Sequence, residues 1–510
     1  MVCRRAGRGA WGVDRWLGES GVTADDGDDG LFEVGPVVPG PVERGPVDKT
    51  FRRFDPEQGL LLPPSLEEWL PADHLARFVA DLVDEHLDLA AFYAAYTQGK
   101  GAPPYDPRLM VRVLLFGYTT GVRSSRKLEA ACTDVVAFRW LAGGAAPDYR
   151  AIARFRKRHL SALGHLFVQA LALCQAAGMV SLGKVALDGT KVRANASRRK
   201  AMSYVRLSEK EKILAAEVSA MLYDAERTDK DEDTTFGKDR RGDELPERLR
   251  RKESRLATIR AAKAALEAEA AERARARAQD KARRVGCDEE EAAEQGQAAA
   301  DAAVPDPKAQ RNFTDPESKI MKTADGSFHQ CYNAQAVVDA DHQVVITTDL
   351  NNCANDFHQL IPMTEQAIAN IGAAPDQLLA DAGYSSTRNL DDAAELTERT
   401  GTEFFIAPGR TRHDAPAPAE PQGPLPDGRT SKQQMADKLR TEDGKAAYAR
   451  RKTIVEPVFG QIDTLQGKHV LLRGLANARN EWRLLAACHK LRKLHNTIGT
   501  HGLASLQTAS

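Results

Sequence analysis

Two short segments share one design. In VALDG, Asp188 follows the apolar run 185–187; in LLADAG, Asp381 follows 378–380, and a glycine comes within two residues of each acid. A short apolar run closed by a turn signal reads as a buried strand. Each acid is therefore expected at a strand end, with the glycine turning the chain beyond it. In an open α/β sheet the carboxyl ends of the strands line the ligand crevice, so the two carboxylates can face each other there. Two such groups repel unless cations lie between them, which is the requirement of a two-metal phosphoryl-transfer site. An all-oxygen ligand set selects Mg²⁺ or Mn²⁺. Either aspartate alone reads as a turn or cap residue; their repetition favours chemistry.

A third acid completes such a set. Glu456, in YARRKTIVEPVFGQID, is flanked by Ile454, Val455, Val458 and Phe459, and Pro457 is expected to kink its helix. The competing reading is a helix-surface ion pair with Lys452, four residues earlier on the same face. Asp339, Asp341 and Asp349 flank hairpin strands and Asp356 opens a helix, so these four read as turn and cap residues. His329, His342 and His358 lack helical metal spacing, which argues against zinc. The seven cysteines include no CxxC pair, so neither structural zinc nor a disulfide framework is implied.

The elements that must position these acids alternate in type. Residues 1–48, rich in Gly, Pro and Asp, cannot bury enough apolar surface to offset ordering and read as a disordered tail, or as sequence upstream of the true start codon. Leu75, Phe78, Val79, Leu82 and Leu89 then set a helical period, with further helices at about 106–118, 124–133, 148–159 and 163–178. Strand signals begin at Lys184 and return in 331–350, a hairpin turning at 339–342. Between them, residues 201–305 carry Leu249, Leu256, Ile259 and Leu266 at helical spacing, which predicts a helical hairpin or short coiled coil whose seam Lys252 and Lys263 interrupt. Its end, DEEEAAEQGQAAADAAVPDP, reads as a flexible linker. A helix at 357–371, a strand at 377–381, a helix at 386–398, a strand at 403–408, a Pro-rich loop at 415–426 and helices at 431–463 and 480–497 follow. The sum is a mixed α/β core with one large interruption.

Hydrophobic residues at 42% and charged residues at 28% fit a soluble globular chain. The most apolar stretch, 164–183, carries His165, Gln169 and Gln175 and has no charged flanks, so a buried helix is expected rather than a membrane span. Arg4, Arg5 and Arg8 precede no apolar run, so no secretion signal is expected and the protein should be cytoplasmic. Lys plus Arg (71) balance Asp plus Glu (72), so any DNA-binding charge must be local. From 108 to 158, eleven basic residues face only Glu129, Asp134 and Asp148, the electrostatic footprint of a phosphate backbone. Within it, Asp148 caps DYRAIARFRKRH, a candidate recognition helix carrying Arg150, Arg154, Arg156, Lys157 and Arg158, with Ile152 and Phe155 turned inward. A solvated face on a core helix is the commoner fate of such a run.

VALDGTKV, LLADAGYSS, and Tyr448 with Arg451 and Glu456 ahead of PVFG resemble the DDE transposases of bacterial insertion sequences, in the group of insertion sequences four and five. FRRFDPEQGLLLPPSLEEWLPADHLARFV and PDYRAIARFRKRH are similar to that group's N-terminal DNA-binding domain. GDELPERL and GSFHQCYNAQAVVD resemble the branch that carries an insertion after the first catalytic strand, and the similarity runs from about residue 51 to 496. The resemblance implies a ribonuclease-H-like catalytic domain (181–200 and 311–500), an all-α DNA-binding domain (49–180) and a helical insertion with linker (201–310). It implies that Asp188, Asp381 and Glu456 bind Mg²⁺ or Mn²⁺ and that Tyr448 and Arg451 hold transposon-end phosphate. Lys452 takes the basic role for which the group uses a lysine where this chain has Asp463. The implied reaction is cleavage at terminal inverted repeats followed by strand transfer into target DNA, by a homodimer or larger assembly. Two rival readings are a nuclease of the same fold that only hydrolyses DNA and a DNA-binding relic without activity.

Overall fold

The computed structural model describes residues 65–96, 103–236, 247–409 and 428–506, all within one compact unit, Pro64–Ser510. The expected tail 1–48, the Pro-rich loop 415–426 and the first residues of GDELPERL lie outside the described residues.

Eight helices come first: α1 (Leu66–Trp69), α2 (Leu75–Asp81), α3 (Ala90–Tyr93), α4 (Pro107–Thr120), α5 (Ser125–Asp134), α6 (Val136–Leu141), α7 (Tyr149–Arg158) and α8 (Leu160–Ala176). Their ends follow local chemistry. Asp106 caps α4 through the Arg108 N–H at 2.7 Å with Pro107 in the first turn, and Gly121 closes it at φ 84°. Asp148 caps α7 through the N–H groups of Arg150 (2.8 Å) and Ala151 (3.0 Å), as its position predicted.

The sheet is mixed. β1 (Lys184–Arg193) lies between β5 (Phe328–Asp339), antiparallel, and β7 (Gln377–Ala380), parallel, and β8 (Glu403–Ile406) extends the parallel side. β4 (Lys319–Lys322) and β6 (Val345–Asn351) pair antiparallel with successive halves of β5. The predicted hairpin is β5–β6, and its turn is tied by Asp339, which accepts from the Ser181 N–H at 3.2 Å on one oxygen and the Asp341 N–H at 3.1 Å on the other. One sheet face packs on α12 (Leu360–Ile371) and α13 (Thr387–Thr400), through Leu187, Val337, Leu378, Met363 and Leu390.

The other face is covered by a core that the N-terminal helices share with the C-terminal ones. The stretch 431–463, expected as one helix, is three: α14 (Ser431–Lys438), α15 (Glu442–Ala449) and α16 (Arg451–Gln466), with Thr430 and Thr441 capping the first two. α17 (Leu475–Leu503) follows and packs on α8, α4 and β6. Trp482 Nε1 donates to Thr348 Oγ1 on β6 at 2.7 Å, and the buried Lys490 donates to Phe167 O on α8 at 2.7 Å. A buried polar group joins the same elements: Arg156 Nη1 donates to Tyr118 Oη at 3.2 Å, and Tyr118 donates to Glu481 Oε1 at 3.2 Å.

The insertion leaves the sheet after β1 and returns at β4. The short strands β2 (Ala201–Ser203) and β3 (Gln310–Asn312) pair antiparallel at its base. α9 (Tyr204–Phe236) and α10 (Glu247–Val285) build its own core from Leu207, Leu214 and Val218 with the predicted Leu249, Leu256, Ile259 and Leu266. Lys252 and Lys263 border this seam, each 2.9 Å from a glutamate of α9, Glu217 and Glu211. The segment expected as a flexible linker is instead α11 (Glu289–Asp301), packed on α10. Its small residues explain the correction: Ala292 and Ala300 are buried, and Gly296 lets Gln279 approach so closely that a Cβ would lie 2.6 Å from its Cγ.

Candidate active site

In the parallel pairing of β1 and β7, Leu187 stands opposite Ala380. Asp188 and Asp381 are therefore the next residues on adjoining strands, at the same end of both. β7 stops there while β1 runs on beside β5 to Arg193, so Asp188 lies inside a strand rather than at its end. Gly189 likewise makes no turn, since it pairs with Gln335. It supplies space: a Cβ at 189 would come 2.5 Å from Gln335 Nε2 and 2.8 Å from Asp356 Oδ1. Gly383 does serve a turn, Ala382–Tyr384, in which its N–H donates to Asp381 Oδ1 at 2.8 Å.

Asp188 accepts from the Gly189 N–H at 2.7 Å on one oxygen and from Arg451 Nη1 at 2.9 Å on the other. Its side chain is 17% exposed. Burial pushes this carboxyl up to about 6; Arg451 pulls it down and Asp381 pushes it further up. Lys191, three residues on, has its Nζ 3.8 Å from Asp356 Oδ1. Burial lowers its pKa, opposed by Asp356 and, less strongly, by Asp188 and Asp381.

Arg451 opens α16 and is buried, so the structure turns this guanidinium onto Asp188 rather than outward to solvent. Its other nitrogen lies 3.8 Å from Glu456 Oε1, and it therefore bridges two of the three expected acids. Glu456 itself is 54% exposed, not half-buried in a kink. α16 passes through Pro457 because the carbonyl that the proline cannot serve, Thr453 O, accepts from Gln343 Nε2 at 2.9 Å. The apolar neighbours Ile454, Val455, Val458 and Phe459 are buried on the opposite side. Tyr448 is half-buried with its ring centroid 6.0 Å from Arg451 Cζ, and Lys452 is exposed. Among the described residues, no three His, Cys, Asp or Glu side chains converge as a metal-ligand cluster.

Asp356 was expected to cap a helix. Instead α12 begins at Leu360 with Gln359 before it, and Asp356 Oδ1 accepts from Asn333 Nδ2 at 2.7 Å and Gln335 Nε2 at 2.6 Å. Tyr384, next to Gly383, donates to Gln335 Oε1. The sequence did hold a signal for this: Asn333 and Gln335 are two amides at strand spacing in an otherwise apolar run, which puts both on one buried face. Asp349 also departs from a turn role, lying 2.7 Å from Arg479 and 3.8 Å from Arg483.

On α7, Arg150, Arg154, Lys157 and Arg158 are exposed while Ile152 and Phe155 are buried. Arg156 departs from the expected basic face. It is 8% exposed and points inward, where Arg123 O accepts from it at 3.0 Å besides Tyr118 Oη. Held inside the core, its guanidinium cannot contact DNA.

Two family models match the chain. Residues 64–158 match a transposase domain (DUF772) and residues 301–491 match the transposase DDE domain. The chain belongs to the insertion-sequence DDE transposases. Asp381 and Glu456 fall inside the second match; Asp188 lies between the two, ahead of the insertion. No curated protein and no solved structure gives a significant match.

Proposed function

We propose that this transposase cuts the ends of an insertion sequence and joins them to target DNA, with a divalent cation held by Asp188 and Asp381 and the set completed by Glu456. The observation that carries this reading is the pair of aspartates on neighbouring parallel strands, near enough for Asp381 to raise the Asp188 carboxyl. Neighbouring half-buried carboxylates that repel each other are stabilised by a hard cation, and their oxygens suit Mg²⁺ or Mn²⁺. Such an ion, when bound, supplies an activated oxygen nucleophile and neutralises charge on the phosphate. The chain does the positioning. Arg451 clamps one oxygen of Asp188 and reaches toward Glu456, whose exposure leaves it free to approach the aspartate pair.

The strand order β6-β5-β1-β7-β8, with β5 antiparallel, supports a ribonuclease-H-like core, interrupted after its first strand by the helical insertion, as in one branch of the group of insertion sequences four and five. The exposed basic face of α7, beside a cleft of about 760 Å³ lined by Arg154, Lys157 and Arg158, supports double-stranded DNA as the partner. Phosphate contacts there would give affinity and base contacts specificity for the inverted repeats. Lys452 and Tyr448 lie next to Arg451 for the transposon-end phosphate. Joining two ends at one target requires two sites, hence a homodimer or larger assembly. No helix of the described residues is long and apolar enough to cross a membrane, and binding to DNA would place the protein on the nucleoid.

The test uses labelled duplexes carrying the inverted repeats that flank the gene, a plasmid target and Mg²⁺. Wild type should cleave the repeat end and form joined products. Cleavage without joining would identify a nuclease instead, and no metal-dependent cleavage would overturn the reading.

A further inference from the structure

Asp356 lies beside the aspartate pair but is not among the three acids expected to bind a cation. Its place is prepared from three sides. Asn333 and Gln335 both spend an amide N–H on Oδ1, and Asn333 does so while its own Oδ1 stays buried without a hydrogen-bond partner among the described residues. Tyr384, fully buried, fixes Gln335 from the other side. The glycines that follow the two aspartates leave the room: a Cβ at 189 would come 2.8 Å from Asp356 Oδ1, and one at 383 would come 3.4 Å from Oδ2.

Among the described residues the anchored carboxylate pairs with Lys191, whose Nζ lies 3.8 Å from Oδ1. Lys191, three residues from Asp188 on β1, leaves the strand on the opposite face, yet its charge is within electrostatic reach of both Asp188 and Asp381. An ammonium on a four-carbon stem, once untethered, would turn onto those carboxylates and compete with any cation for them. We propose that Asp356 is a positioning residue: anchored by Asn333 and Gln335, it holds Lys191 aside so that Asp188 and Asp381 stay open to a divalent cation. This rests on the reading of those aspartates as cation ligands.

The experiment measures Mn²⁺ binding to the full-length chain by titration calorimetry at pH 7.5, with thermal melts alongside. Wild type, Asp188→Asn, Asp356→Asn, Lys191→Met and the Asp356→Asn/Lys191→Met double variant are compared. Asp356→Asn should weaken binding about tenfold, the scale on which groups orienting metal ligands act. The double variant should recover to within about threefold of wild type, because the competing amine is gone. A purely structural role for Asp356 would leave the double variant as weak as Asp356→Asn, and that result overturns the proposal. So does Asp356→Asn binding like wild type while Asp188→Asn does not. Equal binding by wild type and Asp188→Asn overturns the cation reading itself, and the proposal with it. Lys191→Met, which leaves Asp356 intact, must bind Mn²⁺ at least as tightly as wild type; weaker binding overturns the proposal even if Asp356→Asn does not fold.

Discussion

Replacing Asp188 by Asn should stabilise the cation-free protein while removing its activity. Burial and Asp381 raise the Asp188 carboxyl from its ordinary 3.8 to about 6. At about 1.4 kcal/mol per unit, ionising Asp188 in the fold costs on the order of 3 kcal/mol, and the neutral amide escapes this cost. The folded state binds the proton more tightly than the unfolded one, so wild-type stability falls as pH rises from 3.8 to about 6 and is level above that. The advantage of Asp188→Asn should therefore be about 3 kcal/mol at pH 8 and about half of that at pH 5. Urea denaturation in EDTA, followed by tryptophan fluorescence at pH 5, 6, 7 and 8, measures it. Adding Mn²⁺ should then stabilise wild type and leave the variant unchanged. A variant less stable than wild type at pH 8, or an advantage that does not grow between pH 5 and 7, would refute the reasoning that Asp188 is a destabilised carboxylate awaiting a cation.

Other changes should separate site from scaffold. Lys490→Met should stabilise the fold by about 1–2 kcal/mol, because burial holds its ammonium well below the ordinary range and no carboxylate partner accompanies it among the described residues; a lower melting temperature would contradict this. Gly189→Ala should destabilise by about 2–4 kcal/mol, since the clash at 2.5 Å is with a Gln335 amide already held by Asp356 and Tyr384; an unchanged melt would show that the network yields. Arg154→Ala or Lys157→Ala should weaken binding to all DNA duplexes and lower the salt slope by about 1 each without changing the melt. Arg156→Ala should do the reverse, lowering the melting temperature through the loss of its buried hydrogen bonds.

Where local pattern decided structure, the sequence was readable. The Asp148 cap, the β5–β6 hairpin and the leucines of the insertion core depend on residues near in the chain or on strict period. Asp188 and Asp381 were found because both runs share one pattern, but the length of β1 is set by β5, some 140 residues on, so Asp188 was wrongly expected at a strand end. Asp356 reads as a cap in the sequence because its donors, Asn333 and Gln335, lie on a distant strand in an otherwise apolar run. Arg156 looked like its exposed neighbours because its acceptors, Tyr118 and Arg123, come from the end of α4 and the turn after it. The small residues of α11 read as a flexible linker in the sequence, whereas in the fold they permit close packing on α10.

Cleavage of labelled terminal-repeat duplexes in Mg²⁺ tests the proposed site most directly, comparing wild type with Asp188→Asn, Asp381→Asn and Glu456→Gln at equal DNA occupancy. The expected result is loss of at least about a thousandfold in cleavage rate for each aspartate variant, as for removal of a group central to transition-state stabilisation. Glu456→Gln should fall with them once DNA and cation draw it inward. Variants that bind the ends and cleave them at the wild-type rate would contradict the account.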